Sequence, residues 1–298
     1  MAEQGSYGVC GRKTCNVYAK NQRALDCAKS GDINGITQAM RKGESLDLVL
    51  ETAAHWGHLS ILEHARVNKW HVRVRESVAI EATRSGYMHI VKWYKKHGHP
   101  LTSETVAVAA TYGHFEIVRW LDRAGCPTGP DVLAGAARGG YIDIVKWFNK
   151  THPVVVNDKA IAEAASGGYN NIIKWLVGRK CPMSELACIK AAANGHLHTL
   201  KLLRMCECPW NELTCLNAAY HGHMKLLTWA YNNGCAINYE ACLQAAITNK
   251  KGSWIEVSAW LNRQQTKLNV KVRDIAGQLL KAASNLDQEE VDTLLHSE

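Results

Sequence analysis

The sequence predicts an all-α fold, a curved solenoid of stacked helix-turn-helix repeats with terminal caps. Three observations predict it. One pattern recurs as ATRSGYMHIVKWY from Ala82, AATYGHFEIVRWL from Ala109, AARGGYIDIVKWF from Ala136, AASGGYNNIIKWL from Ala164, AAANGHLHTLKLL from Ala191 and AAYHGHMKLLTWA from Ala218. Its glycine falls at Gly31, Gly57, Gly86, Gly113, Gly140, Gly168, Gly195 and Gly222, and 113 minus 86 or 140 minus 113 gives a unit of 27 residues. Apolar residues run up to an Ala-Ala pair before each glycine and recur at helical spacing after it.

Each unit therefore reads as helix, tight turn, helix. The paired alanines end the first helix and let neighbouring helices approach closely. The glycine follows because a helix commonly closes on a left-handed residue, which glycine adopts at low cost. The second helix carries its apolar stripe at positions such as Ile117, Val118, Trp120 and Leu121. Gly-Cys-Pro or a variant, as at Gly125-Cys126-Pro127, then stops that helix and opens the next unit. Two helices this short cannot bury their apolar faces alone, so each unit must stack on its neighbours. The pattern divides the chain into an N-terminal segment, 1–20, whose order it does not fix, a repeat array, 21–262, and a C-terminal helical cap, 263–298. Asn249 to Ser253 replace the turn glycine by an insertion before Trp254 to Leu261, and Ala282 to Leu295 is acidic, in keeping with atypical terminal repeats.

Composition bounds the setting. Lys+Arg 35 against Asp+Glu 27 gives a net charge of +8, which allows acidic partners without demanding them. Met1 to Cys10 has no apolar core like that of a signal peptide, and no apolar run approaches membrane-spanning length, which points to a soluble, non-secreted protein with no membrane partner. Eleven cysteines is an odd number for a disulfide framework, so reduced thiols and an intracellular location are expected.

The stretch Gly113-His114-Phe115-Glu116-Ile117-Val118-Arg119-Trp120-Leu121 resembles the second half of an ankyrin repeat, and the likeness recurs from about residue 24 to 262. The unit is about six residues shorter than the usual ankyrin length of about 33. The missing part is the projecting β-hairpin, and the Thr-Pro-Leu-His opening of the first helix is also absent. Shortened repeats with Trp in the second helix and Gly-Cys-Pro in the loop resemble the ankyrin proteins expanded in giant DNA viruses and some protists. The resemblance implies a non-catalytic protein-binding scaffold in the cytoplasm or nucleus, of a host cell if viral.

The resemblance also implies where a partner would sit. In ankyrin proteins the two residues between the Ala-Ala pair and the turn glycine face the concave side and vary with the partner. The corresponding residues here include His55, Trp56, Arg84, Thr111, Tyr112, Arg138, Tyr220 and His221, and they do vary. Trp, Tyr and Arg most often dominate binding energy, which singles out Trp56, Arg84, Tyr112, Arg138 and Tyr220.

Four other ladders invite a function. Trp93, Trp120, Trp147, Trp175, Trp229 and Trp260 hold one place in successive units and are expected to be core rungs rather than a stacking platform for bases, which also explains Trp 10 against Phe 2. Cys188, Cys215 and Cys242 stand where other units place Val106, Leu133 and Ile161, and read as small core hydrophobes. His99, Cys126, His152, Cys181, Cys208 and Cys235 recur in the loops, but rungs about 10 Å apart cannot share a zinc that needs its ligands within about 2.3 Å. Cys206 with Cys208 and Cys10 with Cys15 are closer pairs, yet no metal and no cofactor is expected.

Lys92, Arg119, Lys146, Lys174 and Lys201 form a basic ladder that could hold phosphates, giving nucleic-acid binding as the alternative function. The plainer reading is a solvated helix face. A ubiquitin-ligase adaptor is a lower alternative, suggested only by what some viral ankyrin proteins do, and residues 1–20 contain no recognisable ligase-binding box. No nucleophile motif, phosphate loop or His-Glu-x-x-His pair is present, so an enzyme is not expected.

Overall fold

The computed structural model describes residues 21–41, 46–68, 70, 74–152 and 157–295, with side chains as far as Lys281. The segment 1–20, its Cys10 and Cys15, and the side chains of the acidic tail lie outside the described residues. Among the described residues there are eighteen helices and no strand. They follow in pairs: α1 (Gln22–Ser30) and α2 (Ile33–Met40), α3 (Leu46–His55) and α4 (Leu59–Val67), α5 (Glu76–Arg84) and α6 (Met88–Lys96), α7 (Ser103–Thr111) and α8 (Phe115–Arg123), α9 (Pro130–Gly139) and α10 (Ile142–Thr151), α11 (Asp158–Ser166) and α12 (Asn170–Gly178), α13 (Glu185–Ala193) and α14 (Leu197–Met205), α15 (Glu212–Tyr220) and α16 (Met224–Asn232), and α17 (Tyr239–Asn249) and α18 (Trp254–Leu295).

From α1 to α9 and from α13 to α17 each odd helix packs on the next odd helix, as α3 on α5, α7 on α9 and α13 on α15, and on its own even partner. This sequential stacking is that of an α-solenoid. The chain divides into two compact units, residues 1–164 with 171–182, and residues 165–170 with 183–298.

The Ala-Ala pairs sit where odd helices meet, and Ala53, Ala54, Ala109, Ala110, Ala136 and Ala137 are fully buried. Gly135 carries the same principle further: a Cβ there would stand 2.7 Å from the Ala107 carbonyl, so only glycine lets α9 approach α7 this closely. The turn glycines all lie at positive φ. At Gly86 (φ +83) a Cβ would also stand 2.7 Å from the His114 ring, so conformation and space both require glycine.

The even helices contribute Ile-Val pairs and the following large side chain, such as Ile117, Val118 and Leu121, or Ile144, Val145 and Phe148, all buried. The tryptophan ladder departs from expectation. Trp93 is buried at 6% exposure, whereas Trp120, Trp147, Trp175, Trp229 and Trp260 are half-buried. At 100° per residue Trp120 stands well round the helix from the arc shared by Ile117, Val118 and Leu121, so its indole lies along the flank of the core. Cys188, Cys215 and Cys242 are fully buried, in line with Val106, Leu133 and Ile161.

The last repeat ends differently. Lys250 takes a left-handed conformation in the insertion, Ser253 N–H donates to the Gly222 carbonyl at 3.2 Å, and Asn249 Nδ2 donates to the Tyr220 carbonyl at 2.8 Å. Val257 and Leu261 of α18 are buried. The segment 263–298, expected as a cap, continues this helix as far as Leu295, and its described side chains are almost all exposed.

Candidate partner-binding surface

The candidate residues sit at the C-terminal ends of odd helices, and hydrogen bonds between repeats fix several odd-helix ends. Four of the turn glycines are followed by a histidine that donates from Nε2 to a carbonyl one repeat back: His58 to Lys29 at 2.8 Å, His114 to Arg84 at 2.9 Å, His196 to Ser166 at 3.0 Å and His223 to Ala193 at 3.1 Å. These carbonyls are among the last of a helix, where no intrahelical donor remains. Asn249 serves the same position in the last turn through its bond to Tyr220. The side chains projecting from these helix ends are thus set on a fixed backbone.

In the first unit the structure brings six residues into one continuous patch. Trp56 is 50% exposed, with its ring centroid 6.0 Å from that of His55 in an edge-to-face arrangement. His55 Nδ1 lies 3.1 Å from a Glu81 carboxylate oxygen and 3.2 Å from the Ser85 hydroxyl. Arg84 donates to the other Glu81 oxygen at 2.7 Å and places its guanidinium 5.7 Å from the centroid of Tyr112, which is 46% exposed. The ends of the patch are aromatic and its middle is a hydrogen-bonded ion cluster. Thr111, beside Tyr112, donates its hydroxyl proton to the Ala107 carbonyl at 2.8 Å.

Arg138 makes a bidentate pair with Glu163, Nε to Oε2 at 2.8 Å and Nη2 to Oε1 at 2.9 Å. The arginine is more than half exposed while the glutamate is only 3% exposed. Arg138 therefore first neutralises a buried carboxylate, and only its outer edge faces solvent. Glu81 and Glu163 were not marked by the repeat pattern. Both occupy the fifth place before a turn glycine, which varies from Val108 to Gly135, Glu163, Lys190 and Asn217. The signal was an acidic residue at that place following His55 or Arg138 one repeat earlier.

In the second unit Tyr220 is 41% exposed and meets His221 edge-on at 4.9 Å, and His221 stacks on His223 at 6.0 Å. Burial, then the neighbouring His223 and Lys251, holds His221 below the usual histidine range, which keeps it neutral near pH 7.

The basic ladder is unevenly presented. Lys92, Lys146 and Lys174 are exposed on even helices. Arg119 pairs with Glu116 at 3.3 Å, and Lys201 stands 5.8 Å from the Trp229 centroid. Of the flanking cations, Lys95 donates to the Ala124 carbonyl, Arg179 lies over Trp175 at 5.1 Å and Arg204 over Trp210 at 4.4 Å. The half-buried tryptophans therefore hold cations against the flank.

The loop thiols act between loops. Cys181, Cys208 and Cys235 each donate to a carbonyl 24 residues earlier, those of Asn157, Ser184 and Asn211, at 3.1, 3.4 and 3.2 Å. Burial pushes the Cys181 thiol up to about 11. His152 Nε2 lies 2.9 Å from Asp122, and the His99 ring lies tilted against Tyr94 with centroids 4.7 Å apart. Among the described residues no three His, Cys, Asp or Glu side chains are grouped as metal ligands.

The sequence matches no protein-family model, and no curated protein aligns with it significantly.

Proposed function

We propose that this chain is a non-catalytic scaffold of short ankyrin-like repeats that binds a protein partner at the C-terminal ends of its odd helices. The observation that carries this reading is the placement of Trp56, Tyr112 and Tyr220 on those ends, each about half exposed, with the backbone beside Trp56 and at Tyr220 tied to the next repeat by His89 and Asn249. A pre-set surface of aromatic side chains loses little freedom on association and supplies the residue types that anchor interfaces. The repeat spacing and the Gly-Cys-Pro loops support kinship with the ankyrin proteins of giant DNA viruses. Among the described residues no helix is long and apolar enough to cross a membrane.

The test is capture by the full chain from lysate of its natural cell, with nuclease and raised salt. A defined protein that is retained under both treatments and lost with Trp56→Ala/Tyr112→Ala supports the scaffold. The exposed row Lys92, Lys146 and Lys174 favours a second reading, phosphate contacts to nucleic acid. Retention that vanishes with nuclease and with Lys→Gln changes at those three positions would select it over the first.

A further inference from the structure

We propose that α18 joins two copies of this chain through an antiparallel coiled coil. The buried stripe of the last repeat, Val257 and Leu261, does not stop where the repeat stops. It continues down the same helix face as Leu268, Val272, Ile275 and Leu279, spaced by four, three and four residues. These four are 46%, 57%, 56% and 66% exposed. Ala282 and Leu286 extend the spacing in the sequence, so the unpartnered seam keeps the heptad spacing from 268 to 286, nearly three heptads, with Gln264 and Gln265 between it and Leu261. Val270, on the opposite face, takes no part.

The occupant follows from charge. Residues 262–281 carry Arg263, Lys267, Lys271, Arg273 and Lys281 against Asp274, a net of +4. Residues 282–295 carry Asp287, Glu289, Glu290 and Asp292 and no cation, a net of −4. Two such helices side by side and parallel set like against like; antiparallel, each basic half meets the partner's acidic half. The helix is therefore its own complement. Centring the pair on position 277 puts 275 opposite 279, 272 opposite 282 and 268 opposite 286, and carried to 262 opposite 292 it gives an overlap of about 46 Å for about 31 residues at 1.5 Å each.

The full chain is measured by sedimentation equilibrium and light scattering. The expected mass is twice 33.0 kDa at tens of micromolar, falling toward the monomer at high salt as the charge pairing is screened. Val272→Asp/Ile275→Asp, both at solvent-exposed positions, should give a monomer with unchanged thermal unfolding of the array. A zero-length carbodiimide crosslink in a mixture of light and heavy isotope-labelled protein should join Lys267 or Lys271 of one copy to the 287–292 carboxylates of the other. A mass that stays at 33.0 kDa, a dimer that survives the double aspartate change, or intermolecular crosslinks confined to like halves would each overturn the proposal. So would a monomer that sediments with vesicles of anionic lipid, which would give the face to a membrane surface.

Discussion

Glu163 is the most deeply buried carboxylate tied to a candidate binding residue, and that changes what Arg138 means. Removing the arginine strands a carboxylate at 3% exposure, so Arg138→Ala should cost about 1–3 kcal/mol in urea unfolding. Arg138→Lys should recover only part of that, since lysine cannot make the two-pronged contact. A change in partner affinity without a change in stability would contradict this assignment. Glycines separate in the same manner. Gly86 and Gly98 both have positive φ, +83 and +79, but a Cβ meets the His114 ring at Gly86 and nothing within 4 Å at Gly98. Alanine should cost about 1–2 kcal/mol at Gly98 for the backbone alone and distinctly more at Gly86, with the loss of the His114 bond to Arg84, as differential scanning calorimetry would resolve. The turn glycines could be read from the sequence because each must be glycine whatever surrounds it. Glu163 could not, because its partner lies 25 residues away at a position that varies from repeat to repeat.

At the scale of elements, thiols report the packing of odd helices and loops. Burial, then the charge of Asp158, holds the folded Cys181 thiol at about 11, and burial, then Glu212 and Cys235, holds Cys242 at about 12, against 9.0 in the unfolded chain. The unfolded state therefore releases these protons first, and their contribution to stability, complete below pH 9, declines as pH rises through 9 toward 11 and 12. Denaturation midpoints should fall over that window, and fall less in Cys181→Ala/Cys242→Ala. Alkylation of the native protein should find Cys27 and Cys206, which are half-buried, well before the fully buried Cys188, Cys215 and Cys242, as mass mapping of the label would show. The short helices were legible in the sequence because one pattern repeats them, so that α8 ends where Gly-Cys-Pro begins. The tryptophans were read too deep: helical spacing identifies an apolar face but does not separate its centre, held by Ile117, Val118 and Leu121, from its edge, where Trp120 lies beside solvent.

Across the whole molecule, helices of eight to eleven residues are too short to persist alone and draw their stability from stacking. The 27-residue period conveys that requirement, because only neighbouring units can complete each core. It conveys less about where the chain divides into compact units, or about α18 running on past its repeat, since neither depends on the repeated residues. The same limit applies to function. The period marks the variable places before each turn glycine, but their grouping into Trp56, His55, Glu81, Arg84 and Tyr112 depends on contacts between successive repeats.

The central claim is that aromatic residues on the odd-helix ends bind a protein partner, and the most direct measurement is the affinity of a captured partner for the full chain and its variants by calorimetry. Trp56→Ala and Tyr112→Ala should each weaken binding about 30-fold or more, the effect of losing about 2 kcal/mol at an anchor, while Lys146→Gln leaves affinity within about twofold. Equal affinity for the wild-type and aromatic variants, with a steep loss in the lysine variant, would contradict the account.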